Sequence, residues 1–162
     1  MGDVVTPEVR SRMMSGIRSR DTRPEHLVRS GLFAAGFRYR LHRRDLPGTP
    51  DLVLAKWNAA IFINGCFWHA HHGCRYFRVP KNREPFWTQK LEANRTRDAI
   101  NTAALVRGGW KVITVWECAL RADVAATLDH LQSVITDGSA TQQWEIREPA
   151  CERGAVEVLK QN

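Results

Sequence analysis

Residues 51–64 read DLVLAKWNAAIFIN, two short apolar runs separated by the tripeptide Lys56-Trp57-Asn58. Apolar runs of this length are typical of buried strands, and the short break between them predicts a hairpin. Residues 37–42 alternate between apolar and basic side chains, which predicts a further strand with one basic face. The sequence therefore predicts three consecutive strands in the first half of the chain.

Helical patterns flank these strands. The segment Thr22-Arg23-Pro24-Glu25 matches a capping box and predicts a helix that ends at Gly36. Later elements are a long helix over residues 84–106, a strand over 110–116 and a helix capped by Asp123. Terminal elements are a helix starting at Thr6 and a weak strand over 155–159. After the first helix the order αβββαβα is typical of one α/β domain with helices around a mixed sheet.

The charge of the chain points to a polyanionic partner. The 162 residues include 24 basic and 17 acidic side chains, a net charge of +7. Residues 1–112 hold 20 basic and 9 acidic residues, whereas residues 113–162 hold 4 and 8. Such a basic region suggests nucleic acid. A genome that favours arginine codons is the alternative, because 19 of the basic residues are arginines.

Composition also limits the setting in which the protein works. The longest apolar stretch, residues 59–63, is far too short to cross a bilayer. No apolar leader segment is visible after Met1. We therefore expect a cytoplasmic protein, in which the four cysteines favour metal binding over disulfides.

Two aspartates stand at positions suited to chemistry. Asp51 opens an apolar strand after a Pro-Gly-Thr-Pro loop, where its carboxylate can hold a hard cation or simply cap a turn. Asp98 shares a helix face with Leu91, which predicts that its side chain points toward the core. Because an isolated buried carboxylate is costly, Asp98 needs a metal, a hydrogen-bond donor or an arginine as partner. Glu25 is accounted for by the capping box, and His69 lies in a histidine-rich loop as a candidate ligand.

The same loop carries a zinc-like pattern. Three suitable ligands lie within nine residues, namely Cys66, His71 and Cys74. Zn²⁺ takes four ligands in a tetrahedron. Cys118 can supply the fourth if the strand over 110–116 lies beside residues 59–63, because both segments then leave the sheet at one edge. The competing ligands are His72 and Cys151.

Aromatic residues accompany this loop. Phe67 and Trp68 lie within it, and Trp87 begins the long helix. The basic residues nearby are Arg75, Arg78, Lys81 and Arg83. Aromatic side chains beside basic ones favour insertion between bases. The alternative is that the rings cover a small core around the metal.

Linked motifs along the chain resemble those of the very short patch repair (Vsr) endonucleases. They are RDT at 20–22, LPGTPD at 46–51, FINGCFWH at 62–69, FW at 86–87, NR at 94–95, RD at 97–98 and WECAL at 116–120. The match is collinear over roughly residues 7–136. The resemblance implies a restriction-endonuclease-like fold with an αβββαβ core, which agrees with the order above.

The family resemblance also implies an activity. Vsr enzymes are monomeric, Mg²⁺-dependent DNA nickases that cut on the 5′ side of the T in a T·G mismatch left when 5-methylcytosine deaminates. The implied partner is double-stranded DNA with that mismatch, and mismatch-repair proteins are further candidates. The division of the chain that we expect is an N-terminal helical arm over 1–20, an endonuclease domain over 21–138 and a C-terminal tail over 139–162.

By the same resemblance, Asp51 is the central Mg²⁺ ligand, aided by the carbonyl of Ile63, and His69 is the acid/base partner of the attacking water. Glu25 would act nearby through a water molecule, and Asp98 would orient His69. Structural Zn²⁺ would be held by Cys66, His71, Cys74 and Cys118. A wedge entering the duplex would consist of Phe67, Trp68 and Trp87. Further DNA contacts would come from Arg20, Arg75, Lys81 and Arg83.

The chain departs from the family pattern at two places. Ile63-Asn64 stands where many members have Thr-His, so Ile63 still offers a carbonyl but Asn64 offers a hydrogen bond and no imidazole. Gly73 is an extra residue that leaves the choice between His71 and His72 open. The rival interpretations are a catalytically weakened, zinc-stabilised DNA-binding module and a strand nickase without mismatch preference.

Overall fold

The structure, a computed structural model, describes residues 20–151 together with residues 6, 8, 9 and 12. Glu8, Val9 and Arg12 are helical, and the Val9 amide donates to the Thr6 hydroxyl at 3.4 Å, as expected of a helix N-cap. The rest of that expected helix and the expected strand over 155–159 lie outside the described residues.

A five-stranded mixed sheet forms the centre of the molecule. The helices are α1 (Arg23–Ala34), α2 (Glu84–Arg107), α3 (Glu117–Ala122) and α4 (Val124–Thr136). The strands are β1 (Arg40–Leu41), β2 (Leu52–Leu54), β3 (Ala59–Asn64), β4 (Lys111–Trp116) and β5 (Gln143–Ile146), in that spatial order. The expected α/β class with an αβββαβ core is confirmed. In the described part of the chain, no helix has the length and apolar character to cross a bilayer.

The strand directions decide where the site lies. β1, β2 and β3 pair antiparallel, whereas β3, β4 and β5 pair parallel. A 3-10 turn over Ala55–Trp57 and the left-handed residue Asn58 reverse the chain between β2 and β3, which confirms the hairpin. Parallel pairing aligns Asn64 with Trp116, so β3 and β4 end at the same edge of the sheet.

Helices cover both faces of this sheet. On one face, α1 and α4 pack against the central strands through Val28, Leu32, Ile61, Ile113 and Leu131. On the other face, α2 packs through Leu105 against Ala60 and Val112. The loop into β2 also approaches α2, because a Cβ on Gly48 would lie 3.0 Å from Asn101 and its φ of +75° suits glycine.

The first strand is shorter than the sequence predicts. Residues 37–42 were expected in one strand, but only Arg40 and Leu41 join the sheet. Phe37 and Tyr39 pack against the core outside the ladder. His42 has a φ of 45°, a left-handed conformation that ends the strand.

The sequence does not predict two short elements of the structure. α3 has six residues, too few for a helical period to stand out. β5 is a four-residue edge strand whose alternation consists only of Trp144 and Ile146. β5 lies beyond residue 138, in the region expected to be a tail, and the proposed division of the chain stays a prediction.

Candidate active site and metal centre

A cleft of about 1340 Å³ lies at the edge where β3 and β4 end. Asp51 reaches it from the start of β2, which lies beside the end of β3 because these strands are antiparallel. Glu25 of α1, His69 of the loop after β3 and Asp98 of α2 line the same cleft. The fold therefore brings together four acidic and imidazole side chains that are up to 73 residues apart in sequence.

Each carboxylate oxygen of Asp51 has a polar neighbour. Its Oδ2 accepts a hydrogen bond from the Ile63 amide at 2.8 Å, and its Oδ1 lies 3.8 Å from His42 Nδ1. Burial raises the pKa of Asp51 to about 6, opposed by the Ile63 hydrogen bond and reinforced by the charge of Glu25. A carboxylate whose charge is disfavoured by burial is stabilised by a bound cation, and oxygen donors suit Mg²⁺.

His69 and Asp98 form a pair on the cleft wall. Nδ1 of His69 lies 2.6 Å from Oδ2 of Asp98, and the two side chains are 31% and 36% exposed. The carboxylate favours the tautomer that carries a proton on Nδ1, which makes Nε2 the proton acceptor. The expectation that Asp98 needs a partner is confirmed, and the partner is a histidine rather than an arginine.

Glu25 has two functions in the structure. The capping box is confirmed, because Glu25 Oε1 accepts from the Thr22 amide and Thr22 Oγ1 accepts from the Glu25 amide, both at 3.4 Å. Its second oxygen, Oε2, accepts from Arg29 Nη2 at 2.6 Å inside the protein. Glu25 therefore caps α1 and also belongs to a charged network at the cleft.

The end of β3 also lines the cleft. The Ile63 amide is engaged by Asp51, and Asn64 is buried beside it. The expected carbonyl donation by Ile63 and the hydrogen-bonding role of Asn64 stay predictions.

A buried thiol cluster lies at the same sheet edge. We use this name for Cys66, His71, Cys74 and Cys118, whose possible ligand atoms all lie within 4.8 Å of one another. Cys66 and Cys118 closely follow β3 and β4, as the expected pairing of those strands requires. His71 Nε2 is buried and has no hydrogen-bond partner in the described structure. Three thiols and an imidazole are a donor set of structural zinc sites, so these residues fit Zn²⁺.

The competing ligands lie outside the thiol cluster. His72 is exposed and faces Glu92 at 3.5 Å. Cys151 Sγ lies 4.0 Å from Cys118 Sγ, and burial raises the pKa of Cys151 to about 12. A hydrogen bond from Cys66 lowers the pKa of Cys118, which favours a thiolate at Cys118 and a thiol at Cys151.

Phe67, Trp68 and Trp87 form an aromatic cluster at the surface. Their ring centroids are 5.1 to 6.2 Å apart, and Lys90 Nζ lies 5.8 Å from the Trp68 ring. The Trp68 carbonyl accepts from Asn94 Nδ2 at 3.0 Å, which fastens the loop to α2. None of the three aromatic residues belongs to the apolar core of the described structure. This placement argues against a core-filling role.

The basic residues expected to contact DNA differ in their surroundings. Arg20 lines the cleft, and Lys81 and Arg83 are exposed in the turn before α2. Arg75 is already paired, because its Nη2 lies 2.8 Å from Glu148. Contacts of these residues with DNA stay predictions.

The sequence prediction missed His42, which lines the cleft, and Arg29, which is buried and contacts it. His42 was expected as the last residue of a strand with a basic face, and the antiparallel pairing of β1 with β2 instead places it opposite Asp51. Arg29 lies four residues after Glu25 on α1, a spacing that signals a helical ion pair. The hairpin register and this spacing are the signals that identify both residues.

Known proteins resemble this chain along most of its length. A family profile described as DNA mismatch endonuclease Vsr matches residues 2–75. The type II nicking enzyme V.XorIIP of Xanthomonas oryzae pv. oryzae is 47% identical over 135 residues, which cover 83% of this chain and 98% of the relative. The DNA mismatch endonuclease Vsr of Escherichia coli K12 is 39% identical over 155 residues, 96% of this chain and 92% of the relative.

Proposed function

This chain belongs to the Vsr family of DNA mismatch endonucleases and is a DNA-nicking endonuclease, and we propose that its substrate is the T·G mismatch left by deamination of 5-methylcytosine. The cut would fall on the 5′ side of the T. The main support is one arrangement: Asp51, the His69–Asp98 pair and Trp68 of the aromatic cluster line a single cleft.

The cleft residues fit a divalent metal such as Mg²⁺. Asp51 would be the main protein ligand, with the Ile63 carbonyl as a further oxygen donor. When bound, Mg²⁺ supplies Lewis acidity toward the scissile phosphate. Asp51 is held for this role by the Ile63 amide, which limits rotation of its carboxylate.

His69 would remove the proton from the attacking water. Asp98 holds Nδ1 at 2.6 Å, so Nε2 is the nitrogen that accepts this proton. The negative charge of Asp98 then stabilises the imidazolium. Glu25 contributes a further carboxylate at the cleft, and Asn64 is restricted to hydrogen bonding.

The thiol cluster would hold a structural Zn²⁺. All four ligand positions are then occupied by protein side chains, so the site has no open position for chemistry. Its residues bracket the loop that carries His69, Phe67 and Trp68. We therefore assign the zinc to anchoring the catalytic histidine and the aromatic cluster at the sheet edge.

The aromatic cluster would act as the wedge that opens the duplex. Unstacking a base step costs a few kcal/mol, and less where pairing is faulty. The rings of Phe67, Trp68 and Trp87 are partly exposed, and we propose that they enter such a step. The wedge would therefore select a mismatch through its deformability as well as through hydrogen bonds.

The biological setting follows from this activity. We propose that the enzyme acts as a monomer on chromosomal DNA in the bacterial cytoplasm. The division into an arm over 1–20, an endonuclease domain over 21–138 and a tail over 139–162 stays part of this proposal, although β5 of the tail region pairs with β4 in the sheet of the domain. Mismatch-repair proteins are candidate partners.

Nicking of labelled duplexes tests the proposed function. Each strand is labelled in turn at its 5′ end, and a T·G duplex is compared with a T·A duplex of otherwise identical sequence, in Mg²⁺ and in chelator. We expect a single Mg²⁺-dependent nick in the strand that contains the mismatched T, on the 5′ side of that T.

Two other results would each support a different function instead of this one. Equal nicking of the T·G and T·A duplexes would identify a strand nickase without mismatch preference. Tight binding without a nick would identify a DNA-binding module weakened by the change to Asn64.

A further inference from the structure

His42, which lines the cleft, and the buried Arg29 form a polar network that the chemistry above does not use. Possible ligand atoms of Asp21, Glu25 and His42 lie within 4.8 Å of one another, a spacing that would suit a metal. Arg29 already lies among them, with Nη1 2.6 Å from Asp21 and Nη2 2.6 Å from Glu25 and 3.0 Å from His42. A buried guanidinium repels a second cation, so an arginine organises this network in place of a metal.

The contact with Arg29 determines the tautomer of His42. A guanidinium has five N–H donors and no acceptor, so His42 Nε2 must accept the hydrogen bond from Arg29 Nη2. The proton of the neutral imidazole ring therefore lies on Nδ1. This is the nitrogen that faces Asp51, 3.8 Å from Oδ1.

The backbone holds His42 in this orientation. Its amide donates to the Asp51 carbonyl at 3.2 Å, and its left-handed conformation, with a φ of 45°, ends β1 beside the cleft. The side chain is 16% exposed, so protein atoms surround most of it. The gap between Nδ1 and Oδ1 exceeds a normal hydrogen bond of about 3.0 Å by less than one ångström, so a small rotation of either side chain closes it.

We infer that His42, oriented by Arg29, is a positioning residue that directs its Nδ1–H at Asp51 and keeps the carboxylate in its metal-binding orientation. This inference rests on the proposed function, in which Asp51 is the main metal ligand. The Ile63 amide restrains Oδ2 through a hydrogen bond, and His42 would restrain Oδ1, from which its Nδ1 lies 3.8 Å away. Hydrogen bonds of this kind to a metal ligand typically change metal affinity or activity by about ten- to a hundredfold.

Two variants at one position separate this role from simple packing. His42→Phe keeps a planar ring but removes both the acceptor and the donor, whereas His42→Gln keeps an acceptor and a donor on one planar amide. Both substitutions place a non-glycine residue at a φ of 45°, so they should strain the backbone to a similar extent. A difference in metal binding between the two variants therefore measures the contribution of the polar side-chain atoms. His130→Phe, at an exposed position on α4, is the matched control.

The measurements are Mn²⁺ binding by electron paramagnetic resonance, the Mg²⁺ dependence of nicking, and the melting temperature. We expect His42→Phe to weaken Mn²⁺ binding and raise the Mg²⁺ requirement by about ten- to a hundredfold, and His42→Gln to recover most of that loss. Nitrogen NMR of the wild type, with the His42 signals identified by their loss in His42→Gln, is expected to show a proton on Nδ1 and none on Nε2.

The outcomes separate this inference from the proposed function. A proton on His42 Nε2, or a folded His42→Phe variant that binds Mn²⁺ like the wild type, would overturn the inference. If His42→Phe does not fold, the NMR result decides. A wild type that does not nick in Mg²⁺, or an Asp51→Asn variant with unchanged Mn²⁺ affinity, overturns the proposed function instead.

Discussion

The thiol cluster and the candidate catalytic cleft lie at one edge of the sheet, yet they are built in opposite ways. The four side chains of the thiol cluster are at most 5% exposed, and three of them are soft thiols. In the cleft, His69 and Asp98 are about one-third exposed, and the donors are carboxylates and imidazoles. Soft, enclosed donors suit a structural metal that stabilises the fold, whereas hard donors in an open cleft suit a metal that contacts the substrate. Substitutions in the thiol cluster are therefore expected to lower stability, whereas substitutions in the cleft are expected to lower activity.

Loss of a thiol ligand tests the enclosed site and is expected to have the largest effect. Cys118→Ser should abolish zinc binding and unfold the loop that carries His69, because a structural zinc can contribute on the order of 10 kcal/mol. Zinc content and thermal unfolding are the measurements. Cys151→Ser is the matched control and should keep both the zinc and the melting temperature. Full zinc content in Cys118→Ser would show that Cys151 or His72 is the fourth ligand.

Loss of the proposed Mg²⁺ ligand tests the open site. Asp51→Ala should lower nicking by about a thousandfold or more, since the Lewis acid loses its anchor. DNA affinity should stay within about tenfold, because the basic surface is unchanged. Asp45→Ala removes an exposed carboxylate from the preceding loop and should nick normally. A residual rate of about a tenth of the wild type in Asp51→Ala would reject this residue as the anchor.

The His69–Asp98 pair should affect activity without affecting the fold. Asp98→Asn removes the charge that supports His69 as a base, so we expect nicking to fall by about a hundredfold. Because both side chains are about one-third exposed, the free energy of unfolding should change by less than about 1 kcal/mol. Asp129→Asn, at an exposed position on α4, is the control. A large drop in melting temperature would place Asp98 with the structural residues instead.

The aromatic cluster, whose Trp68 lines the cleft, is expected to give the smallest effect. Trp68→Ala should lower nicking of a T·G duplex by about ten- to a hundredfold, since stacking is worth roughly 1–3 kcal/mol per aromatic. Its melting temperature and zinc content should match the wild type. Phe33→Ala, which removes an exposed ring elsewhere, should leave nicking unchanged. An unstable but fully active Trp68→Ala protein would end the wedge hypothesis.

Most of the fold was predictable because its patterns are local. The capping box at Thr22, the hairpin over residues 51–64 and the long helix after Arg83 all lie where the sequence predicts them. Short elements were missed for the same reason: α3 and β5 have six and four residues, too few to show a period.

The candidate site was predictable in part. The spacing of Cys66, His71 and Cys74 predicted three residues of the thiol cluster. The parallel pairing of β3 with β4 in the structure placed Cys118 beside them and left out His72 and Cys151, which the sequence kept as alternatives. The proposed functions of Asp51 and His69 came from the family motifs, because spacing alone favoured a turn cap for Asp51 and left His69 as one candidate ligand in a histidine-rich loop.

By itself, the sequence determined the α/β class, the basic character and the family of this protein, since composition and short motifs are properties of neighbouring residues. The His69–Asp98 contact is the one that the family resemblance implies, whereas only the tertiary structure decided that Arg29 contacts His42 and that His42 faces Asp51. These contacts depend on strand register and on the packing of helices against the sheet. Such long-range geometry is set by which surfaces are buried together, and no local pattern along the chain encodes it.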